Sequence, residues 1–363
     1  MNGLLPEGFH DRLPPHADAA AALEGHVLDA ARLFGYERAD PPLAEFEESI
    51  GARLKSGTAK DAVRFIDPVS GRTLAIRPDI TAQIGRIATT RMAHHPRPVR
   101  LSYAGPVLKL RASQLRPERA MRQIGCELIG RDNVAAVREI VTVAVAALEA
   151  AGVPDLAVDF TLPDLVEALA PDMAPDKLTL LRERLDAKDA AGVAAIDAAF
   201  LPLIESAGPF DAALARLRAH DTGGALTARL DGLEAVAEAI AGRVSLTLDP
   251  TERHGFEYQS WIGFSLFARG VRGEIGRGGS YSVIGAEGEE PAVGVSLYAD
   301  PILDSGLSSS DRRRLFLPFG TDAATAASLR AQGWAAVAAL DPDDSAAAQL
   351  CTHELRGGEP VAV

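Results

Sequence analysis

The sequence predicts an α+β fold in which an antiparallel sheet flanked by helices is interrupted by a small helical insertion and followed by a short C-terminal α/β unit. Three observations predict it. Strand patterns joined by hairpins alternate with helical patterns on either side of residues 163–242. Within 163–242, Ala, Leu, Asp and Arg dominate and aromatics nearly vanish. After residue 305 a strand, a helix and a second strand follow in βαβ order. The expected divisions are 1–162 and 243–304 for the two parts of the sheet domain, 163–242 for the insertion and 305–363 for the last unit.

From the N-terminus, turn signals at Leu5-Pro6-Glu7-Gly8 and Leu13-Pro14-Pro15 precede an alanine-rich helix from His16 to Phe34, which Gly35 stops. An extended stretch from Tyr36 ends at Pro41-Pro42. Arg64–Asp67 and Thr73–Arg77, separated by Pro68-Val69-Ser70-Gly71, predict a β-hairpin, and a helix follows from Ile80 to Arg91. Val99–Ala104 and Val107–Arg111 predict a strand pair, Met121–Ile129 a further strand, Asn133–Gly152 a helix and Leu156–Phe160 a strand. Breakers at Pro171, Gly192, Gly208 and Gly223 punctuate the insertion. Strands are then expected at Val244–Leu248, Tyr258–Ala268, Val271–Gly276 and Ala292–Tyr298. The last unit has strands at Arg312–Pro318 and Ala335–Leu340 around a helix at Ala323–Gln332.

Of the 363 residues, 47% are hydrophobic and 24% charged, which supports a sizeable core and excludes disorder for the bulk of the chain. A formal charge of −13 repels polyanions, so nucleic-acid binding is not expected. The two cysteines, Cys126 and Cys351, form no CxxC pair and no His/Cys cluster, so neither a disulfide framework nor a metal site is expected. No apolar run reaches membrane-spanning length, and the first residues carry prolines and acids instead of a basic stretch followed by an apolar one. The expectation is a cytoplasmic chain with no membrane association and no cofactor.

Three constellations could carry chemistry. Arg77-Pro78-Asp79-Ile80-Thr81-Ala82 places a cation, a carboxylate and a hydroxyl at a strand-to-helix junction. Asp79 or Thr81 could simply cap that helix, or the carboxylate could bind a ligand ammonium group. Next, Arg122-Gln123-Ile124-Gly125-Cys126-Glu127 puts Gln123, Gly125 and Glu127 on one strand face. The loop before it carries Lys109, Arg111, Arg116 and Arg119, a cationic density that suits an anion or a protein partner and is otherwise a solvated surface. Last, His254 and the run Gly276-Arg277-Gly278-Gly279 match neither a nucleophile elbow nor a phosphate-loop signature. A lone histidine is more often structural, and a tight glycine turn between strands accounts for the glycines.

In chain order these segments resemble the catalytic core of histidyl-tRNA synthetase, a class II aminoacyl-tRNA synthetase, from about Leu4 to Leu303. Pro42-Leu43-Ala44-Glu45 resembles the dimer-forming first class II motif, Leu74 to Ala82 the histidine-contacting segment with Asp79 for its glutamate, and Gly105 to Gly130 the second motif. The stretch containing Leu185-Asp186-Ala187-Lys188-Asp189 sits where that family carries a helical insertion. The departures resemble a non-synthetase branch, the regulatory subunits of ATP phosphoribosyltransferase. Lys109 and Pro301 stand where two ATP-clamping arginines are expected, Arg111 replaces a carboxylate, and Gly278-Gly279-Ser280-Tyr281-Ser282 lacks two charged members of the synthetase segment. The tail from Leu315 resembles only the opening of an anticodon-binding domain.

The resemblance implies that Asp79, Thr81, Gln123, Glu127 and Tyr258 occupy positions that contact histidine, while no residue is catalytic. It implies a non-enzymatic homodimer whose partner is a short-form ATP phosphoribosyltransferase catalytic subunit, with histidine as feedback effector. The alternative is an active histidine-adenylating ligase or a reduced histidyl-tRNA synthetase, with Lys109 as a point charge.

Overall fold

The computed structural model describes residues 4–51, 62–111, 118–253, 259–285, 288–306 and 313–363. Its backbone falls into two compact units, Met1–Ser308 and Ser309–Val363.

Helix α1 (His16–Leu33) ends where Gly35 takes φ 83°, the left-handed turn its position predicts. Strands β1 (Glu37–Arg38) and β2 (Ala44–Phe46) and helix α2 (Glu47–Gly51) follow, then the hairpin β3 (Val63–Ile66) and β4 (Thr73–Ile76) and helix α3 (Thr81–Thr89). Strands β2, β4 and β3 make a small antiparallel sheet. The long hairpin β5 (Val99–Leu108) and β6 (Ala120–Ile129) leads to α4 (Val134–Ala150) and β7 (Leu156–Thr161). Helices α5 (Leu165–Leu169), α6 (Pro175–Asp186), α7 (Ala190–Asp197) and α8 (Leu201–Glu205) come next. The two-residue strand β8 (Gly208–Pro209), helices α9 (Phe210–His220) and α10 (Thr227–Glu238) and strand β9 (Ser245–Leu248) return the chain to the sheet. Strands β10 (Gln259–Ala268), β11 (Gly276–Gly285) and β12 (Gly288–Tyr298) form its antiparallel centre, and α11 (Ala299–Asp304) closes the first unit.

The large sheet has nine strands in the order β1-β5-β6-β12-β11-β10-β7-β9-β8. It is antiparallel except at β1 beside β5 and β9 beside β7, so the expected α+β class holds with two parallel pairs near its edges. One face carries Ile124, Cys126 and Leu128 of β6 and Val293, Val295 and Leu297 of β12 into a core shared with α1 and α4. The helices of residues 163–242 contribute Leu181, Leu185, Leu214 and Leu233 to that same core. Phe160 of β7 joins the two, its ring centroid lying 5.8 Å from that of Phe210 and 6.4 Å from that of Phe264. The other face carries Leu101, Tyr103 and Tyr281 against Ile80 and Ile84 at and within α3.

Two strand expectations are corrected. Val99–Ala104 and the start of Val107–Arg111 are one strand, β5, which runs through Pro106 and ends at Leu108. Opposite it, Arg122 N–H donates to Asp300 Oδ2, while the Pro106 carbonyl accepts from Arg77 Nε at 2.8 Å. The missing proline N–H therefore leaves no ladder bond unmade. Val271–Ile275 is a connection with Gly270 and Gly273 at positive φ, and the glycine run that suggested a turn lies inside β11. A β-carbon on Gly278 would stand 2.4 Å from both the Gly294 carbonyl and the Phe264 ring, so those glycines admit close sheet neighbours.

The second unit has a sheet in the order β14-β13-β15-β16, with β13 (Arg314–Leu317), α12 (Ala323–Ala331), β14 (Ala335–Ala338), β15 (His353–Arg356) and β16 (Glu359–Ala362). The βαβ succession is as expected, and the C-terminal hairpin β15–β16 adds to it.

Helix α4 shows how local signals are used. Asn133 precedes it in extended geometry and accepts from Ala136 N–H at 3.1 Å, satisfying an otherwise orphaned donor. Asn133→Ala is expected to destabilise the chain by about 1 kcal/mol in urea titration without changing the denaturant slope.

Candidate functional site

Strand alternation, helix α3 and the register of β5, β6 and β12 bring a polar network to the second face of the sheet. Gln123 and Glu127 both project there from β6, each only 1% exposed. In the register, Gly125 between them lies opposite Tyr103 of β5 and Ser296 of β12. A β-carbon on Gly125 would meet the Tyr103 hydroxyl at 2.3 Å, so glycine makes the room that the phenol fills. The Tyr103 hydroxyl donates to Glu127 Oε1 at 3.0 Å and lies 3.1 Å from Thr81 Oγ1 and 3.0 Å from Ser296 Oγ. Tyr281 of β11 donates to Glu127 Oε2 at 2.6 Å. Both carboxylate oxygens of Glu127 thus accept from a phenol.

The strand-to-helix junction completes the network. Gln123 Nε2 donates to Asp79 Oδ2 at 3.0 Å and to Ser296 Oγ at 2.8 Å, while Gln123 Oε1 accepts from Ile80 N–H at 2.9 Å. Asp79 Oδ1 accepts from Thr81 N–H at 2.7 Å. The carboxylate therefore serves the chain entering α3, whose N-cap residue is Ile80, and joins the network through Gln123 as well. Buried Arg77 anchors the junction through the Pro106 and Pro41 carbonyls, both at 2.8 Å. Glu45, in the segment resembling the first motif, accepts from Gln83 Nε2 at 2.9 Å and Arg86 Nε at 2.8 Å and so ties β2 to α3.

Burial is the largest influence on Glu127. It pushes the carboxyl up to about 8, helped by the charge of Asp79, while the hydrogen bonds from Tyr281 and Tyr103 pull the other way. Tyr103 is raised as well, first by its burial and then by the charges of Glu127 and Asp79. The network can thus present a carboxyl that is protonated or ionised near neutrality, an amide, two hydroxyls and two phenols. Those are partners for an ammonium group and an imidazole.

Four of the five residues expected at the histidine site, Asp79, Thr81, Gln123 and Glu127, meet in this network; Tyr258 lies outside the described residues. Sequence reasoning missed Tyr103, Tyr281 and Ser296 as members. Gly125 was the available signal, because a glycine between two inward polar residues leaves a hole that a cross-strand neighbour fills.

The basic loop was expected to take an anion or a partner. Lys109 and Arg119 face each other at its base, where Lys109 N–H donates to the Arg119 carbonyl at 2.9 Å. The Arg119 guanidinium lies 5.0 Å from the centre of the Phe9 ring. Arg111 is exposed, and Arg116, like His254, lies outside the described residues. Pro301, at the place of an expected arginine, sits inside α11. A separate cavity of about 450 Å³ is lined by Ala17, Ala20 and Glu24 of α1 with Pro106, Arg122 and Asp300. Its charges are already matched, Arg122 to Glu24 with Nε at 3.0 Å and Asp300 to Arg12. Among the described residues no group of three or more His, Cys, Asp or Glu is placed to hold a metal ion, and no helix is long and apolar enough to cross a membrane.

Comparison with known proteins agrees with this fold. The family model described as histidyl-tRNA synthetase matches residues 8–302. The chain is 42% identical to an ATP phosphoribosyltransferase regulatory subunit of Paramagnetospirillum magneticum, over 97% of this chain and 96% of the relative. It is also 42% identical to that of Rhodospirillum centenum, over 98% and 95%. Among solved structures, an ATP phosphoribosyltransferase regulatory subunit/histidyl-tRNA synthetase from Bacillus halodurans superposes with a TM-score of 0.80 at 22% identity, covering 96% of each chain. A histidyl-tRNA synthetase from Nostoc superposes with a TM-score of 0.78 at 14% identity, covering 97% of this chain and 90% of that one, a likeness of fold.

Proposed function

The chain belongs to the histidyl-tRNA synthetase-like family of ATP phosphoribosyltransferase regulatory subunits, and from that premise we propose that it performs no chemistry itself but activates a short-form catalytic subunit in the first step of histidine biosynthesis. Histidine is the feedback effector, held by the network of Asp79, Thr81, Gln123 and Glu127, and the working regulatory unit is a homodimer. The carrying observation is one of contrast. An amide, a hydroxyl and two carboxyls suited to an amino acid lie together in one buried network, while a proline in α11 stands where a phosphate-clamping arginine would be needed. A proline supplies no charge to a pentavalent phosphorus centre, and adenylation depends on fixed cations there. Regulation then requires that histidine bind two states of the assembly with different affinity.

The test is phosphoribosyl-ATP formation by a short-form catalytic subunit from the same source, alone, with this chain, and with this chain plus histidine. The expected result is a rate that rises on mixing and falls as histidine is added. Equal rates with and without the chain, together with histidine-dependent exchange of pyrophosphate into ATP by the chain alone, would replace this reading with that of a ligase.

A further inference from the structure

The turn that follows α6 grips the chain on its way back into the sheet. Asp186, the last residue of α6, accepts from the Arg253 backbone N–H at 2.7 Å. Lys188, two residues on, donates from Nζ to Asp249 Oδ1 at 2.6 Å and to Thr251 Oγ1 at 2.5 Å. From the other side Thr161, at the end of β7, donates its hydroxyl to the Glu252 carbonyl at 2.6 Å. Every residue from Asp249 to Arg253 except Pro250 is therefore bonded to the insertion or to β7, the Asp249 N–H going to the Phe160 carbonyl at 2.9 Å.

Two features show that this grip is held against local preference. Lys188 has φ 55°, a region that suits glycine and crowds a β-carbon. Asp186 places a carboxylate at a helix C-terminus, where the helix dipole disfavours an anion. Neither residue is the choice that the helix or the turn alone would make. Both are suited to holding Asp249–Arg253. The next described residue, Gln259, opens β10 and is the register partner of Tyr281, whose hydroxyl holds Glu127.

We propose that Asp186 and Lys188 are positioning residues for the amino-acid network, through which the helical insertion sets the affinity for the effector by fixing the Asp249–Arg253 segment. This rests on reading that network as the histidine site. Neither side chain touches the network. Their contribution is to the placement of the strand whose partner carries Tyr281.

The experiment measures histidine affinity by calorimetry and amide hydrogen exchange by mass spectrometry on the full chain, for wild type, Lys188→Gly, Lys188→Arg, Asp186→Ala and Glu127→Gln. Lys188→Gly and Asp186→Ala each remove a grip while relieving a local conflict, so their thermal midpoints stay near wild type. Both are expected to weaken histidine binding about tenfold and to speed exchange at Thr251 and Arg253, while Lys188→Arg, which keeps the cation, retains the affinity. Unchanged affinity in both grip variants, with binding lost in Glu127→Gln, overturns the positioning role and leaves the site reading standing. No histidine binding by the wild-type chain overturns both.

Discussion

Glu127→Gln is expected to abolish detectable histidine binding and to make the chain more stable than wild type above pH 8. The two effects have one cause. Burial pushes this carboxyl up to about 8, whereas the same group in the unfolded chain titrates near 4.3. Between those values the folded chain holds a proton that the unfolded chain has released, so this group's contribution to stability is present below the lower value and lost as pH rises to the upper one. Linkage sets the loss on the order of 5 kcal/mol across that window. Glutamine has the same shape and cannot ionise, so the variant's stability should be flat where the wild type declines. Urea denaturation at pH 5, 7 and 9 reads the difference, and parallel slopes for the two proteins would sink the assignment. For the ligand, a neutral imidazole can take up the proton that Glu127 holds and so form a buried ion pair with it, which the amide cannot do, and a charged buried partner of this kind contributes about 3 kcal/mol, roughly 150-fold in affinity.

The parts of this site that could be read in the sequence are those that depend on one strand. Gln123, Gly125 and Glu127 share a face because side chains alternate along any strand, whatever pairs with it. Asp79 and Thr81 announce a helix start, and that local signal survives in the structure as the bond from Thr81 N–H to Asp79. Tyr103, Tyr281 and Ser296 could not be read the same way. They lie on β5, β11 and β12, and the middle of each strand is buried on both sides, so its pattern shows no polar alternation to mark an inward face. The bonds that bring Tyr103 and Tyr281 to Glu127 and Ser296 to Tyr103 are set by register between residues 24 to 193 apart in sequence.

The same reason explains the fold-level differences. Pro106 and the glycines of β11 are local turn signals, and each was overridden by what stands across the sheet. Arg77 takes up the carbonyl that Pro106 leaves free, and the ring of Phe264 occupies the space beside Gly278. The pairs that place β1 beside β5 and β9 beside β7 are likewise non-local, so no local sequence pattern carries them. Helix boundaries, which depend on caps and stops a few residues away, were read most closely, as Gly35 after α1 and Asn133 before α4 illustrate.

Gly294→Ala, far from any charge of its own, is expected to do more harm than any surface change and to do it through Glu127. A β-carbon built on Gly294 would lie 1.6 Å from Glu127 Oε2, inside the carboxylate. The strand cannot move to relieve this, because β12 is paired on both edges, to β6 and to β11. The side chain of Glu127 must leave, and Tyr281 and Tyr103 then lose the acceptor that their buried hydroxyls use. Overpacking together with two unsatisfied donors predicts a loss of about 4 kcal/mol, and histidine binding should go with it. The decisive comparison is Gly294→Ala in a Glu127→Ala background. There the methyl group enters the space that the carboxylate vacated, so adding the alanine should cost at most about 1 kcal/mol, a coupling of roughly 3 kcal/mol between two residues that face each other across β6 and β12. Equal costs in the two backgrounds would mean that Gly294 is required for the backbone alone and that the site does not depend on its missing side chain. A large coupling instead makes that absence part of the site, since Glu127 can stand between the two phenols only because position 294 carries no β-carbon.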